Sequence, residues 1–205
     1  MTDQTIRILG LDPSLTAFGW CVCTLHNRDG EAVFSVRDGG CATTKPMSKE
    51  KKKHSYVGED DVERAMSIAN VLALAADDTH IDCVAYEISG GAQSSRASRA
   101  LGIAAGITAS AAGMLYPGAL LVGVTAIDAK SLAVLDGGAS KEKVIAWAES
   151  ISPMGIFEGE SKERKSGIAD AIAVAFVASL TRPCLSRVGA SRVARPTRAA
   201  LPEAS

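Results

Sequence analysis

The sequence predicts an α/β fold: a mixed five-stranded sheet with helices on both faces. Two observations predict it. Three β-type segments follow one another between residues 6 and 41 with only turns between them, which reads as an antiparallel meander. Two short, mostly apolar runs come later, Ile81–Glu87 and Leu120–Val124, each set between segments of helical character. Such runs suit strands covered on both faces, and strands that alternate with helices pair in parallel.

Each element has its own signal. Ile6–Asp12 is short and rich in Ile and Leu, and Pro13-Ser14 turns the chain. Phe18–Leu25 is a second strand, Asn27–Gly30 a hairpin loop and Ala32–Cys41 a third strand. Lys45–Tyr56 is a charged loop whose lysines read as an exposed, solvated surface. Asp60 or Asp61 caps a helix running to about Asp78, with Val62, Ala65, Met66, Ala69, Leu72 and Ala73 as its apolar stripe. Ser94–Met114 is helical, and its Ala and Gly content permits close packing. A short helix spans Ala126–Val134, and Ser140 caps an amphipathic helix, Lys141–Ser150. Pro153–Ser166 reads as a charged loop, Ile168–Leu180 as a last apolar helix, and Pro183 as its end.

Composition narrows the function classes without choosing one. The 205 residues are 47% apolar, 22% charged and only 4% aromatic, so the core rests on Ala, Val, Ile and Leu. The formal charge is −1, from 22 Lys+Arg against 23 Asp+Glu. That is no basic excess of the kind a nucleic-acid protein usually carries, so any such surface must be local. Lys45 to Lys53, Arg96 with Arg99, Lys130 with Lys141, and the tail arginines are the clusters available. The five cysteines form no Cys-x-x-Cys pair and read as small buried hydrophobes in a reducing compartment. Between Arg99 and Asp128 lie 28 uncharged residues, enough to span a bilayer by length. Tyr116-Pro117-Gly118 breaks them, so they read as buried helix, turn and buried strand. No membrane segment is expected, the N-terminus has no signal-peptide pattern, and the expected location is cytoplasmic. Residues 1–181 form the expected domain. Residues 182–205, with five Arg, one Glu and three Pro, read as a basic disordered tail suited to phosphate contacts.

Three carboxylates stand out. Asp12 and Glu87 each end an apolar strand, and Asp170 lies in the first turn of the last apolar helix. A charge in such surroundings is costly unless it is paired or bound to metal.

Leaving aside the short helix, the element order β-β-β-α-β-α-β-α-α is that of ribonuclease H-like folds. The motifs sharpen this. Ile8-Leu9-Gly10-Leu11-Asp12-Pro13-Ser14-Leu15-Thr16-Ala17-Phe18-Gly19-Trp20 resembles the first hairpin of RuvC-type Holliday-junction resolvases. In order follow Gly40–Lys45, Val84-Ala85-Tyr86-Glu87, Ala100–Gly106, Ala129-Lys130, Gly137-Gly138 with Lys141, and Ala169-Asp170-Ala171, each similar to a family segment; the likeness spans about residues 6 to 180.

The resemblance implies a homodimer acting on four-way DNA junctions, with two Mg²⁺ per active site (Mn²⁺ as substitute) and cleavage to 5′-phosphate and 3′-hydroxyl ends. It makes Asp12, Glu87 and Asp170 the metal-binding catalytic residues, Asp12 bridging both ions, and Lys130 and Lys141 DNA contacts. Hard divalent ions prefer oxygen ligands, as these residues supply. Two departures follow. Gly167 stands where the family usually carries a fourth ligand, Asp or His; Glu158, Glu160 or Glu163 are candidates to replace it. Ile88-Ser89-Gly90-Gly91 stands where an aromatic often stacks on a junction base; Gln93, Arg96 and Arg99 are candidates there. Three other readings remain: a non-catalytic or weakly active junction-binding protein, a nuclease of broader branched-DNA preference, and a phosphotransferase of the actin and sugar-kinase type. The last begins with a similar Gly-x-Asp hairpin but needs two domains, for which the chain is short.

Overall fold

The computed structural model of the chain describes residues 4–56, 58–75, 80–88, 90, 91 and 94–194. Its elements are β1 (Thr5–Asp12), β2 (Ala17–Arg28), β3 (Glu31–Thr43), α1 (Lys49–Lys53), α2 (Glu59–Ala75), β4 (Cys83–Ile88), α3 (Ser95–Leu115), β5 (Leu120–Thr125), α4 (Ala126–Ala133), α5 (Lys141–Ile151), α6 (Lys162–Ser179), α7 (Arg182–Val188) and β6 (Arg192–Val193). The sheet order is β5-β4-β1-β2-β3-β6. β1, β2 and β3 are antiparallel, while β4 runs parallel to both β1 and β5. The five expected strands are all present, and β6 adds a short sixth beside β3.

Strand alternation divides the core in two. Ile6 and Ile8 of β1, Cys21, Cys23 and Leu25 of β2, and Cys83 and Ala85 of β4 share one face with α4, α5 and α6. Leu9 and Leu11 of β1, Phe18 of β2 and Val84 of β4 face α2 and α3 on the other. Side chains alternate along a strand. Asp12 therefore follows Ile6 and Ile8 onto the α6 face, and Glu87 follows Cys83 and Ala85.

Helix α6 is the central helix. From Ser166 to Ser179 every residue except Asp170 is buried, so this segment has no solvent-facing stripe and reads simply as apolar. Phe176 meets Phe34 edge-on at 5.5 Å and Trp147 at 5.6 Å. The helix begins six residues earlier than expected. Ser161 caps it, its Oγ accepting the Arg164 N–H at 3.4 Å. Lys162–Ser166 carries charges that read as loop, because the apolar signal begins only at Ile168. Asp170 consequently lies in the helix interior rather than in the first turn.

Close approach of α6 to the sheet depends on glycine. A Cβ on Gly19 would lie 2.0 Å from the Gly167 carbonyl oxygen, and one on Gly10 2.4 Å from that of Ala171. Gly19→Ala must push α6 off β2. The expected cost is about 3 kcal/mol, the upper part of the overpacking range, and denaturant unfolding of the variant checks it.

Two further expectations change, and one holds. Lys49–Lys53, within the expected loop, forms the one-turn helix α1, and Lys51 pairs with Glu63 of α2 at 2.7 Å. The uncharged stretch 100–127 divides as expected into α3, the turn at Gly118 (φ +88) and β5, continuing into α4. No single helix among the described residues is long and apolar enough to cross a membrane. The stretch from 182 departs most from expectation. Pro183 opens α7 rather than closing α6, as suits proline in a first helical turn. Cys184 and Val188 are buried, Asn27 donates to the carbonyls of Val188 (3.1 Å) and Gly189 (2.9 Å), and Arg187 donates to the Asp82 carbonyl at 2.8 Å. Two buried side chains and these hydrogen bonds anchor residues 182–194 to the sheet, which their Arg- and Pro-rich composition does not reveal. Residues 195–205 lie outside the described residues.

Candidate active site

Asp12 closes β1 and Glu87 lies one residue from the end of β4. The parallel register pairs Leu11 with Tyr86, so the next residues, Asp12 and Glu87, are neighbours on the α6 face. Asp170 is presented to them by α6, whose carbonyl at Ala171 lies against Gly10. All three carboxylates are partly buried.

Their electrostatics record the crowding. Burial, then the charges of Glu87 and Asp170, raise the Asp12 carboxyl well above the usual range, with Lys141 opposing. Burial and Asp170 push Glu87 up to about 7, opposed by Lys130 and Lys141. Burial also raises Asp170, opposed first by Lys141, then by a hydrogen bond from Ser166 and by Lys130. Five side chains that are far apart in sequence thus act on one another.

The lysines arrive by well-capped helices. Thr125 ends β5 and caps α4, its Oγ1 accepting the Asp128 N–H at 3.1 Å. Because Val124 pairs with Glu87, α4 starts beside the carboxylates and carries Lys130 back toward them. Lys141 is the first residue of α5, whose cap is Ser140. Among the described residues neither lysine forms a salt bridge, which leaves both charges available to a ligand.

Arg96 and Arg99 are placed elsewhere. They lie at the start of α3, on the opposite core face, lining a cleft of about 620 Å³ with Tyr56, Asp61 and Arg64. Arg99 pairs with Asp61 of α2 at 2.7 Å. Neither arginine contributes to the electrostatics of the three carboxylates. Gln93 lies outside the described residues.

Position 167 is closely packed. A Cβ there would lie 3.3 Å from Cys41 Sγ, which would have to give slightly, and at ordinary contact distance, 3.5 Å, from Gly19 Cα, so a side chain at 167 would meet β2 and β3. The candidate replacements are not at the cluster either. Glu160 is held by both the Nε and Nη2 of Arg164, and Glu158, Glu160 and Glu163 are absent from the charges acting on the three carboxylates. The sequence reading missed Ser166. It is buried, and its Oγ donates to Asp170 Oδ2 at 3.3 Å, one helical turn away. An i, i+4 relation between a hydroxyl and a carboxylate is its signal in the sequence.

An oxygen-only set of mutually repelling carboxylates suits a hard divalent cation, whose charge would relieve the repulsion. Among the described residues no three Asp, Glu, His or Cys side chains stand close enough to hold one ion. Mutual repulsion is a sufficient cause for carboxylates to stand apart.

No protein-family model and no curated protein matches the chain. Solved structures do. RuvC of Thermus thermophilus in complex with a Holliday junction substrate aligns with a TM-score of 0.62 and 22% identity, over 93% of this chain and 99% of that one. A second T. thermophilus RuvC structure gives 0.61 and 21%, over 90% and 97%. The yeast mitochondrial Holliday junction resolvase Ydc2 gives 0.57 and 11%, over 86% and 79%. The chain resembles RuvC-type Holliday-junction resolvases and has their ribonuclease H-like fold.

Proposed function

We propose that this chain is a structure-selective DNA endonuclease that resolves four-way junctions, acting as a homodimer with two Mg²⁺ per active site and accepting Mn²⁺. The observation that carries the reading is the meeting of Asp12, Glu87 and Asp170 on one face of the sheet with Lys130 and Lys141 beside them. The fold shared with a RuvC solved on a junction supports the substrate class.

The roles follow from chemistry. Asp12, Glu87 and Asp170 hold the ions, which when bound supply the electrophilic help that phosphodiester hydrolysis needs at the attacking and leaving oxygens. Lys130 and Lys141 place positive charge where the DNA phosphate enters. The lysines also hold the carboxylates nearer their ionised form, the state a cation requires. Ser166 fixes one oxygen of Asp170 and leaves the other free.

Cleavage of a four-way junction, a flap, a fork and a linear duplex, compared side by side in Mg²⁺, tests the substrate class. The junction is the expected substrate. Equal cleavage of flaps and forks would replace this reading with a broader branched-DNA nuclease. Lys130→Ala and Lys141→Ala should each weaken junction binding and each lower the slope of log affinity against log salt by about one. An unchanged slope would remove that lysine from the phosphate path.

A second reading has its own observation, a glycine at 167 where the resemblance implies a fourth ligand. It favours a protein that binds junctions and cuts them weakly or not at all.

A further inference from the structure

Leu135 combines an unusual backbone with an exposed apolar side chain. It follows Val134, the C-cap of α4, and adopts φ +58. This is the left-handed position that ends many helices and strongly favours glycine, because a Cβ is crowded there. The same chain meets the same need at the end of α7 with Gly189, φ +68. Apart from Leu135, the positive φ angles of the described non-glycine residues comprise only Asp29, in the β2–β3 hairpin. A leucine at such a position normally repays its strain by packing back on the helix. Leu135 does not: it is 67% exposed.

The loop around it is held, so the conformation is not a loose turn. Val134 N–H bonds to the Lys130 carbonyl at 3.0 Å and Ala139 N–H to the Asp136 carbonyl at 3.0 Å. Asp136 Oδ1 accepts the Gly138 N–H at 3.0 Å, and its Oδ2 pairs with Lys143 at 3.0 Å. The result is a braced loop that pushes one apolar side chain into solvent. Strain retained without a packing return points to function.

Its neighbours indicate the partner. Lys130, on the helix before the loop, and Lys141, at the start of the helix after it, carry positive charge that acts on the carboxylates and forms no salt bridge among the described residues. A leucine that lies between two such lysines in the chain suits a polyanion with apolar flat faces. Nucleic acid has both, and exposed leucines enter base steps as wedges in other DNA-binding proteins.

We propose that Leu135 is an apolar DNA contact that inserts against the bases of the branch point while Lys130 and Lys141 hold the flanking phosphates. The inference rests on the reading of the chain as a junction-binding nuclease and adds to it the residue that grips the open bases.

Leu135→Asn and Leu135→Gly test it, because both residues accept a positive φ and neither supplies an apolar wedge. Binding to a four-way junction carrying 2-aminopurine beside its branch point is measured at two salt concentrations with Ca²⁺ in place of Mg²⁺, together with thermal unfolding and mass in solution. Both variants are expected to be at least as stable as the wild type and to bind about tenfold more weakly, a loss of the size that one wedge contact supplies. The loss should be the same at both salt concentrations, and the fluorescence rise that marks unstacking should be absent. Wild-type affinity and fluorescence in both variants would overturn the proposal while leaving the nuclease reading intact. Loss of self-association without loss of the fluorescence rise would reassign Leu135 to a protein interface. A wild-type protein that binds no branched DNA would overturn both readings.

Discussion

Asp12→Asn should abolish Mg²⁺-dependent nicking of a four-way junction, by about a thousandfold or more, while binding the junction as well as the wild type does. The size follows from position. Asp12 interacts with both of the other carboxylates, so its loss removes one charge from a donor set of three. Asparagine keeps the shape of the side chain and removes the charge that a cation needs. Binding should persist or improve, because the lysines remain and a negative charge facing phosphate is removed. Single-turnover cleavage and a binding titration on the same labelled junction separate the two effects. Undiminished cleavage by Asp12→Asn would remove these carboxylates from the chemistry.

Glu87→Gln should make the metal-free protein more stable at neutral and alkaline pH. The Glu87 carboxyl is pushed up to about 7 from an ordinary value of 4.5, chiefly by burial and then by Asp170. Below about pH 4.5 the group is protonated in both folded and unfolded chains and costs nothing. Between about 4.5 and 7 the unfolded chain releases a proton that the folded chain retains, so stability falls as pH rises. Above about 7 the full penalty remains, about 3 kcal/mol for a shift of this size. Asp12 and Asp170 are raised too and act in the same direction. Glu142, lowered to about 2 by Lys162, acts oppositely, but its contribution is lost only below about pH 4.5. Cys184, lowered to about 7 chiefly by its hydrogen bond with Cys83, titrates within the interval from about pH 5 to 8 in both proteins, so the difference between the two proteins there reports the raised Glu87 carboxyl. Thermal unfolding across it should show the wild type losing stability relative to Glu87→Gln, and Mg²⁺ restoring it at about pH 8 but not at about pH 5. A gap between the two proteins that does not change with pH would show that Glu87 titrates normally.

Much of this site was legible in the sequence because its parts obey simple periodicities. Strand alternation and parallel pairing are enough to bring Asp12 and Glu87 to one face once the β-β-β-α-β order is read. Asp170 announces itself as the one charge in the apolar stretch from Gly167 to Leu180. What was not legible depends on contacts between distant elements. Arg96 and Arg99 read in the sequence together with Lys130 and Lys141, but the structure sets them apart from the carboxylates, at the start of α3 where it packs on α2 and Asp61 pairs with Arg99. Gly167 looks like a missing ligand, and becomes a packing site only when β2 is laid against α6. Residues 182–194 look like a tail because the few groups that hold them, Asn27, Asp82 and β3, lie more than a hundred residues away in sequence. Leu135 gives no sequence signal at all, since only the backbone angle sets it apart.

The central claim is that the carboxylate cluster makes this fold a catalyst and not only a junction-binding surface. Its most direct test is cleavage of a saturating, pre-bound four-way junction in a single turnover, started by adding Mg²⁺ or Mn²⁺. The account predicts paired nicks at the branch point that depend on the metal, with 5′-phosphate and 3′-hydroxyl ends. A junction that remains tightly bound and uncut in both metals would contradict it.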